Sequence, residues 1–426
     1  MDMIARKQRA RREFRQHWTM ILAAAIGFSF TSVITSATGL FLEPISREFG
    51  WSRTLASSGV SITAVLTFLF SPLFGVFIDK WGTRRMALPG LVLMAVVIAS
   101  LSLLDGSHWQ WFAIWTVYAL AALATKSTVW TAAVNSTFDA GRGLALGLVL
   151  SGSALAQGIT PPLTNYLIDA HGWRMAFVWL GTGWGAIAFI LCLLWLRDGY
   201  DISRRARAAD PDAAARKAPL LDVPGLSVSE AWRSVALWRI SISTFVIMVA
   251  TIALVVHQIQ ILGEVGVDRK TAAFYAGAAG LTGIVGKLVT GALLDRFPAR
   301  WVGGVTITAT SLTFVLLLVP QAPTAVIVLA MMINGYAGGT KLQLVGYLTA
   351  AYSGMRNFGT IFGAMASLIA AGSGLGPVLG GLIYDTYGNY APMLWGGFAV
   401  TLLSAFLLFG LEDYPVWQRE PKPTPA

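Results

Sequence analysis

The sequence predicts an all-α membrane protein with twelve transmembrane helices arranged as two pseudo-symmetric six-helix halves. Three observations support this prediction. Of the 426 residues, 55% are hydrophobic and only 12% are charged, whereas about a quarter are charged in ordinary soluble domains. The apolar residues fall into twelve segments long enough to cross a bilayer. Charged, glycine and proline residues recur 216 positions apart in the two halves.

The first half, residues 1–196, contains six apolar segments. A basic stretch precedes the first segment, and no small-residue cleavage site follows it at the distance typical of a signal peptide, so we expect this segment to be retained as a helix. The predicted spans are 19–42, 54–78, 86–104, 109–137, 143–168 and 174–196.

Residues 197–237 are polar, rich in Ala, Asp and Arg, and contain Pro211 and Pro224. This composition predicts a linker between the halves. The second half, residues 238–426, contains the remaining spans and a C-terminal tail. Its predicted spans are 238–262, 271–294, 301–319, 323–352, 358–384 and 391–411.

The net charge of +10 is better explained by membrane topology than by nucleic-acid binding. Of the 31 Lys and Arg residues, five fall in loops on one side, three within spans, and the other 23 on the opposite side. Cytoplasmic loops accumulate Lys and Arg, so both termini are predicted to be cytoplasmic, in the inner cell membrane. One cysteine and four scattered histidines argue against a disulfide framework, a metal site or a bound cofactor.

The two halves carry an internal repeat. The matching pairs at a spacing of 216 residues are Glu48 and Glu264, Gly50 and Gly266, Arg53 and Arg269, Gly75 and Gly291, Asp79 and Asp295, Arg84 and Arg300, Pro161 and Pro377, Asp169 and Asp385, and Gly172 and Gly388. A parallel repeat of this kind is typical of transporters whose halves rock around a site at their interface.

The loop between spans two and three reads Gly75-Val-Phe-Ile-Asp79-Lys80-Trp-Gly82-Thr-Arg84-Arg85. It resembles the signature loop of the major facilitator superfamily, in which Arg is usual at the position of Lys80. Its echo in the second half reads Gly291-Ala-Leu-Leu-Asp295-Arg296-Phe-Pro298-Ala-Arg300, with Pro298 in place of glycine. The resemblance covers nearly the whole chain and implies a twelve-helix secondary transporter without ATP hydrolysis.

A narrower resemblance points to the bacterial monocarboxylate and oxalate transporter branch of that superfamily. It rests on Phe49-Gly-Trp-Ser-Arg53 after span one, His257 in span seven and the pair Gly286-Lys287 in span eight. In that branch, the position of Lys287 usually carries an arginine that binds the substrate carboxylate. Lysine keeps the charge but not the bidentate fork.

Three lysines lie within predicted spans: Lys126, Lys287 and Lys341. Each costs about 2.5 to 3.5 kcal/mol near the centre of a membrane helix, so a functional reason is expected. Lys126 and Lys341 are repeat mates, 215 positions apart, and would face one another across a central cavity as an anion site. Alternatively, each ammonium group reaches an interface or pairs with a buried carboxylate. Lys287, two turns from Asp295, is either a substrate contact or a cation of the inner gate.

Helical spacing nominates Trp130, one turn beyond Lys126, and Asn334, seven residues before Lys341, as neighbours of these cations. Aromatic residues in spans more often serve packing. The other polar or aromatic candidates nearby are Tyr118, Tyr336, Gln343 and Tyr347. His257 and Gln258 lie late in span seven. The imidazole could carry a proton during transport or stay neutral in a hydrogen bond to another helix.

Loop charges at the predicted cytoplasmic ends are expected to close an inner gate through ion pairs and helix-end contacts. Asp79 and Arg84 belong to the first half, and Asp295 and Arg300 to the second. Arg142 and Arg356, just before spans five and eleven, are expected to join this gate.

These features predict a secondary active transporter of small organic anions, mono- or dicarboxylates or aromatic acids, acting by alternating access. Proton symport and anion exchange both remain open. The expected partners are the anion, protons and the lipid bilayer, with the chain acting as a monomer and no nucleic acid bound. The alternatives are an exporter of drugs or hydrophobic cations, which would favour an acid in the central spans, and a non-transporting receptor. No catalytic constellation supports an enzyme.

Overall fold

The computed structural model describes residues 3–51, 53–208 and 224–415. Residues 209–223 of the predicted linker and the tail beyond residue 415 lie outside these ranges. The helices are α1 (Met3–Phe49), α2 (Arg53–Trp81), α3 (Thr83–Ser100), α4 (His108–Leu123), α5 (Ser127–Thr137), α6 (Arg142–Val178), α7 (Gly185–Trp195), α8 (Gly199–Ala208), α9 (Val228–Arg233), α10 (Val235–Glu264), α11 (Arg269–Leu294), α12 (Ala299–Leu316), α13 (Thr324–Ser353), α14 (Phe358–Tyr387) and α15 (Ala391–Phe409).

Within the described ranges, ten helical stretches are long and apolar enough to cross a membrane. One of them, Arg142–Ser203, contains two passes, because Gly172 interrupts α6 with a left-handed φ of 78° that favours glycine. The twelfth pass is α12, whose apolar content is lowered by Arg300 and five hydroxyl-bearing residues. The all-α, twelve-span prediction is therefore confirmed.

Two elements differ from the predicted spans. The basic stretch before the first span is helical and forms the first part of α1. A break at His17 (φ −123°) separates it from the membrane-spanning part of the same helix. The fourth span, predicted to be continuous over 109–137, consists of α4 and α5 with a non-helical junction between them.

The bundle has two sides, which we name by what they carry. The terminal side carries residues 3–17, the loop 138–141, residues 224–234 and residues 410–415. The distal side is the opposite one. This naming does not depend on which side faces the cytoplasm.

The internal repeat is visible in equivalent contacts at the distal side. The carboxylate of Glu48 accepts hydrogen bonds from Trp173 Nε1 (2.8 Å) and Arg174 (2.8 Å). Its repeat mate Glu264 accepts one from the backbone amide of Tyr390 (3.1 Å). Each acid therefore connects the first membrane span of its half to the start of the sixth span of the same half.

The two halves pack closely at the terminal side through glycines. A Cβ added to Gly75 of α2 would lie 2.1 Å from the carbonyl oxygen of Gly359 in α14, and one added to Gly143 of α6 would lie 2.4 Å from that of Gly291 in α11. Farther along α6, a Cβ at Gly158 would meet nothing within 4 Å. The halves thus pack directly against each other at the terminal side, whereas the exposed Gly158 of α6 makes no such contact.

Candidate anion site and terminal gate

The break in the fourth span places Lys126 at a helix start inside the membrane. Lys126 is extended (ψ 169°) and precedes α5. The carbonyl of Thr125 accepts a hydrogen bond from Trp130 Nε1 at 2.6 Å, which compensates for the interrupted backbone ladder. The amides of Ser127 and Thr128 precede the first hydrogen bond of α5, which runs from the Val129 amide to the Lys126 carbonyl (3.0 Å), and they form the positive end of the helix dipole. This end of α5 favours an anion beside the Lys126 ammonium group.

Lys126 and Lys341 have no ion-pair or hydrogen-bond partner among the residues that the structure describes. Lys341 is only 7% exposed. An unpaired ammonium group at such a position is costly. The carboxylate partner considered as an alternative is thus not found in the described part of the chain. The two ammonium groups are suited to receive an external anion.

Both lysines lie at a similar depth in the bundle. Helices α5 and α13 meet where a Cβ added to Gly346 would lie 2.7 Å from the methyl carbon of Thr131, and where Asn135 Nδ2 donates to the Gly346 carbonyl (3.4 Å). Lys126 precedes Thr131 by five residues, and Lys341 precedes Gly346 by five. The crossing therefore forms a floor on the terminal side of the two lysines.

Lys287 bridges the two halves. Its Nζ donates to the carbonyl of Leu150 (3.0 Å) and to Ser153 Oγ (3.2 Å), both on α6. Within the described residues, no hydrogen bond between the halves lies farther toward the distal side than these. In this conformation the Lys287 ammonium group connects α11 to α6, and its roles as a gate cation and as a substrate contact both stay predictions.

Both ring nitrogens of His257 have partners within the second half. Nε2 lies 3.0 Å from the carbonyl oxygen of Pro377, which can only accept, and Nδ1 lies 3.0 Å from the Tyr390 hydroxyl. A neutral ring protonated on Nε2 satisfies both contacts. His257 thereby links α10 to α14 and to the residue that precedes α15.

The other predicted neighbours divide into two groups. Tyr118, Gln258 and Asn334 have no hydrogen bond from their side-chain oxygens to another described residue, so they stay candidates for substrate contact. Three aromatic residues have contacts within the protein: Trp130 is fully buried against Gly27, Tyr336 bonds Thr290 (2.8 Å), and Tyr347 donates to the Leu294 carbonyl (3.1 Å).

Two repeat-related carboxylates cross between the halves at the terminal side. Asp79, near the end of α2, accepts hydrogen bonds from the amides of Gly359 and Thr360 and from Thr360 Oγ1, each at 2.7 Å. Asp295, after α11, accepts from the amides of Gly143 (2.7 Å) and Leu144 (2.9 Å). Each aspartate binds the N-terminus of a helix in the other half, where a negative charge is stabilising.

The four gate arginines do not cross between the halves in this conformation, so the expected ion pairs there are absent from the described residues. Each lies near groups of its own half or of the linker: Arg84 near Asp201 (3.9 Å), Arg142 near Asp139 (3.8 Å), Arg300 at Asp413 (3.0 Å), and Arg356 exposed beside Gly225. The physical reason is that Asp79 and Asp295 already accept hydrogen bonds from backbone amides at the helix N-termini. Their carboxylates are therefore not paired with the arginines.

Gln343 and Asn135 add polar contacts at the same closure. Gln343 Nε2 donates to the Gly143 carbonyl (2.7 Å), which makes this candidate a link between the halves. Asn135 was not predicted as a site residue, although an amide side chain within an apolar span was a detectable signal. Glu13, described below, lies in a basic stretch that gave no such signal.

A twelve-pass bundle of two repeat-related halves, closed at one side by helix-end contacts, defines a membrane transporter rather than an enzyme. The family model described as Major Facilitator Superfamily matches residues 20–261 and 240–426. The chain belongs to this superfamily, as the signature loop suggested.

Relatives and solved structures agree with this assignment. The chain is 24% identical to Monocarboxylate transporter 13 of Bos taurus over 409 residues, covering 92% of this chain and 87% of the relative. Its fold is similar to that of the human organic anion transporter MFSD10 (TM-score 0.68, 16% identity, covering 92% of this chain and 99% of the other). It is also similar to the E. coli fucose:proton symporter FucP (TM-score 0.67, 14% identity, 91% and 98% covered).

Proposed function

We propose that this protein is a secondary transporter of small organic anions, above all carboxylates, acting by alternating access. The observation that carries the proposal is the pair of unpartnered lysines, Lys126 and Lys341, above the floor formed by α5 and α13. Carboxylates neutralise these charges, and dicarboxylates are expected to bind better than neutral analogues. The names of the monocarboxylate transporter and organic anion transporter relatives support this substrate class.

Lys287 gives the proposed cycle a physical link between gate and site. Opening the terminal side requires α6 and α11 to separate, which breaks the bonds from Lys287 to Leu150 and Ser153. The freed ammonium group then adds a third positive charge to the site. A bound anion stabilises this arrangement, whereas the empty site resists it, so we propose anion exchange as the transport mode.

Transport of a radiolabelled dicarboxylate into proteoliposomes tests this function. Saturable uptake that is inhibited by other carboxylates, but not by the matching neutral amides or by a hydrophobic cation, is expected. Uptake or high-affinity binding of the hydrophobic cation, with no carboxylate flux, would instead favour the drug-exporter alternative. No described carboxylate near the central lysines supports that alternative.

His257→Gln tests the proton route. The glutamine amide can replace Nε2–H as a donor to Pro377, so we expect transport to persist with the same dependence on an imposed pH gradient. Gradient-driven accumulation in the wild type that disappears in His257→Gln, with exchange retained, would show that the histidine carries a coupling proton. His257→Ala, which removes the donor, serves as the comparison for loss of the helix contact.

We propose that the terminal side is cytoplasmic, because most Lys and Arg residues lie there. The test replaces Cys192, the only cysteine, with serine and introduces Ser107→Cys or Ser229→Cys, both at exposed positions. An impermeant maleimide should label the distal Ser107→Cys in intact cells and Ser229→Cys only after permeabilisation. The reverse pattern would contradict this orientation.

A further inference from the structure

The N-terminal arm, defined as residues 3–16, lies across the loop between α5 and α6. The carboxylate of Glu13 accepts hydrogen bonds from the backbone amides of Asp139 (3.3 Å), Ala140 (3.1 Å) and Gly141 (3.0 Å). One side chain therefore holds three consecutive amides. A carboxylate is suited to this because it has only acceptor sites and a full negative charge.

Two further contacts fix the arm to this loop. Arg9 pairs with Asp139 at 3.0 Å. Phe14 lies against Phe138, with ring centroids 5.4 Å apart, and fills the space beside Gly141, where an added Cβ would lie 2.7 Å from its ring. The arm is thus attached by charge, hydrogen bonds and apolar packing together.

The same turn receives the gate carboxylate from the other half. Asp295 binds the amides of Gly143 and Leu144, immediately after the three amides that Glu13 binds. Five of the six backbone amides in residues 139–144 therefore donate to two carboxylates, one from each half of the protein. Glu13 therefore holds the turn in the position in which Asp295 can cap the N-terminus of α6.

The second half has an equivalent arrangement at the repeat-related loop 353–357. There the linker residue Leu226 donates its amide to the Ser353 carbonyl (2.8 Å) and accepts from Asn357 Nδ2 (2.9 Å). Asp79 caps the helix that follows, α14. In both halves, a segment on the terminal side holds the loop that precedes a gate helix.

We infer that Glu13 is a positioning residue for the transport cycle: it holds the start of α6 where Asp295 closes the terminal gate. This inference rests on the proposed alternating-access function. It requires no contact between Glu13 and the substrate. Loss of the carboxylate should loosen the turn and let the terminal gate open more often.

The test uses purified protein in lipid nanodiscs, with Cys192→Ser and the reporter Leu294→Cys. Leu294 is 1% exposed, and its Cβ lies 3.0 Å from a Cβ added to Gly143 of the other half, so maleimide reaches this position only when the gate opens. Glu13→Gln should raise the labelling rate about fivefold or more, the lower range of typical coupling between sites. Glu13→Asp should restore part of the wild-type rate.

Glu412→Gln is the matched control, because Glu412 is an exposed terminal-side acid whose side-chain carboxylate forms no hydrogen bond or ion pair with a described residue. Its labelling rate should equal that of the wild type, and the thermal unfolding midpoint of Glu13→Gln should stay close to the wild-type value. If Asp295→Asn raises the rate but Glu13→Gln does not, the inference about Glu13 is wrong while the gate stands. If neither raises it, the proposed gate fails, and the inference fails with it.

Discussion

Lys126→Ala and Lys341→Ala are each expected to weaken carboxylate binding about ten- to a hundredfold, because a hydrogen bond to a charged group contributes about 1.5 to 3 kcal/mol. Isothermal titration of the purified variants with a dicarboxylate measures this loss. Neither lysine has a partner among the residues that the structure describes, so removing it leaves none of them unpaired. The ligand-free variants should therefore unfold at the same temperature as the wild type or higher, since a costly buried charge is removed.

The unfolding temperature of the ligand-free alanine variants distinguishes a binding role of the lysines from a structural role. Lys7→Ala, at an exposed position of the N-terminal arm, is the control and should leave binding unchanged. Lys341→Arg should keep much of the affinity, since the charge remains. Wild-type affinity in both alanine variants, or a large loss of stability without ligand, would show that the lysines are structural.

Asp79→Asn and Asp295→Asn are expected to slow transport about tenfold or more while changing equilibrium affinity much less. Each aspartate accepts two or three hydrogen bonds at a helix N-terminus. An asparagine there has no negative charge, and its amide N–H donors face backbone N–H groups that also donate. The closed terminal side is then weakened. Because the aspartates lie beyond the floor formed by α5 and α13, the anion site itself stays intact.

Exchange rate and substrate affinity, measured on the same proteoliposome preparation, test this division. Asp385→Asn is the control, since Asp385 is an exposed acid near the distal end of α14 and forms no described contact between the halves. Normal exchange with a tenfold loss of affinity in Asp79→Asn would contradict the gate role.

The fold could be predicted largely from sequence because its signals are strong and repeated. Apolar segments of membrane length fix the number of passes. The spacing of 216 residues predicted two related halves, in which Glu48 and its repeat mate Glu264 make equivalent contacts. Asp79 and Asp295 were identified as gate candidates by the same repeat. The break at Lys126 was not predicted, because hydropathy is the same for a continuous and an interrupted span, and the compensating bond from Trp130 depends on tertiary structure.

The site was predictable only where residue type alone is informative. A lysine in a membrane span is costly wherever it points, so Lys126 and Lys341 could be selected without coordinates. The roles of aromatic residues depend on where their side chains point: Tyr336 and Tyr347 lie near Lys341 in the sequence but bond to residues of their own half. Glu13 could not be selected from the sequence, because its role depends on hydrogen bonds to a loop more than a hundred residues away.

Efflux of a radiolabelled dicarboxylate from preloaded proteoliposomes tests most directly whether the lysine site requires an anion before the halves can close. It is measured with and without external substrate, at equal and unequal pH across the membrane. We expect strong acceleration by external carboxylate and no effect of the pH gradient, since the empty site resists closing around unpaired charge. Efflux that is indifferent to external anion but driven by the pH gradient would contradict exchange and establish proton symport.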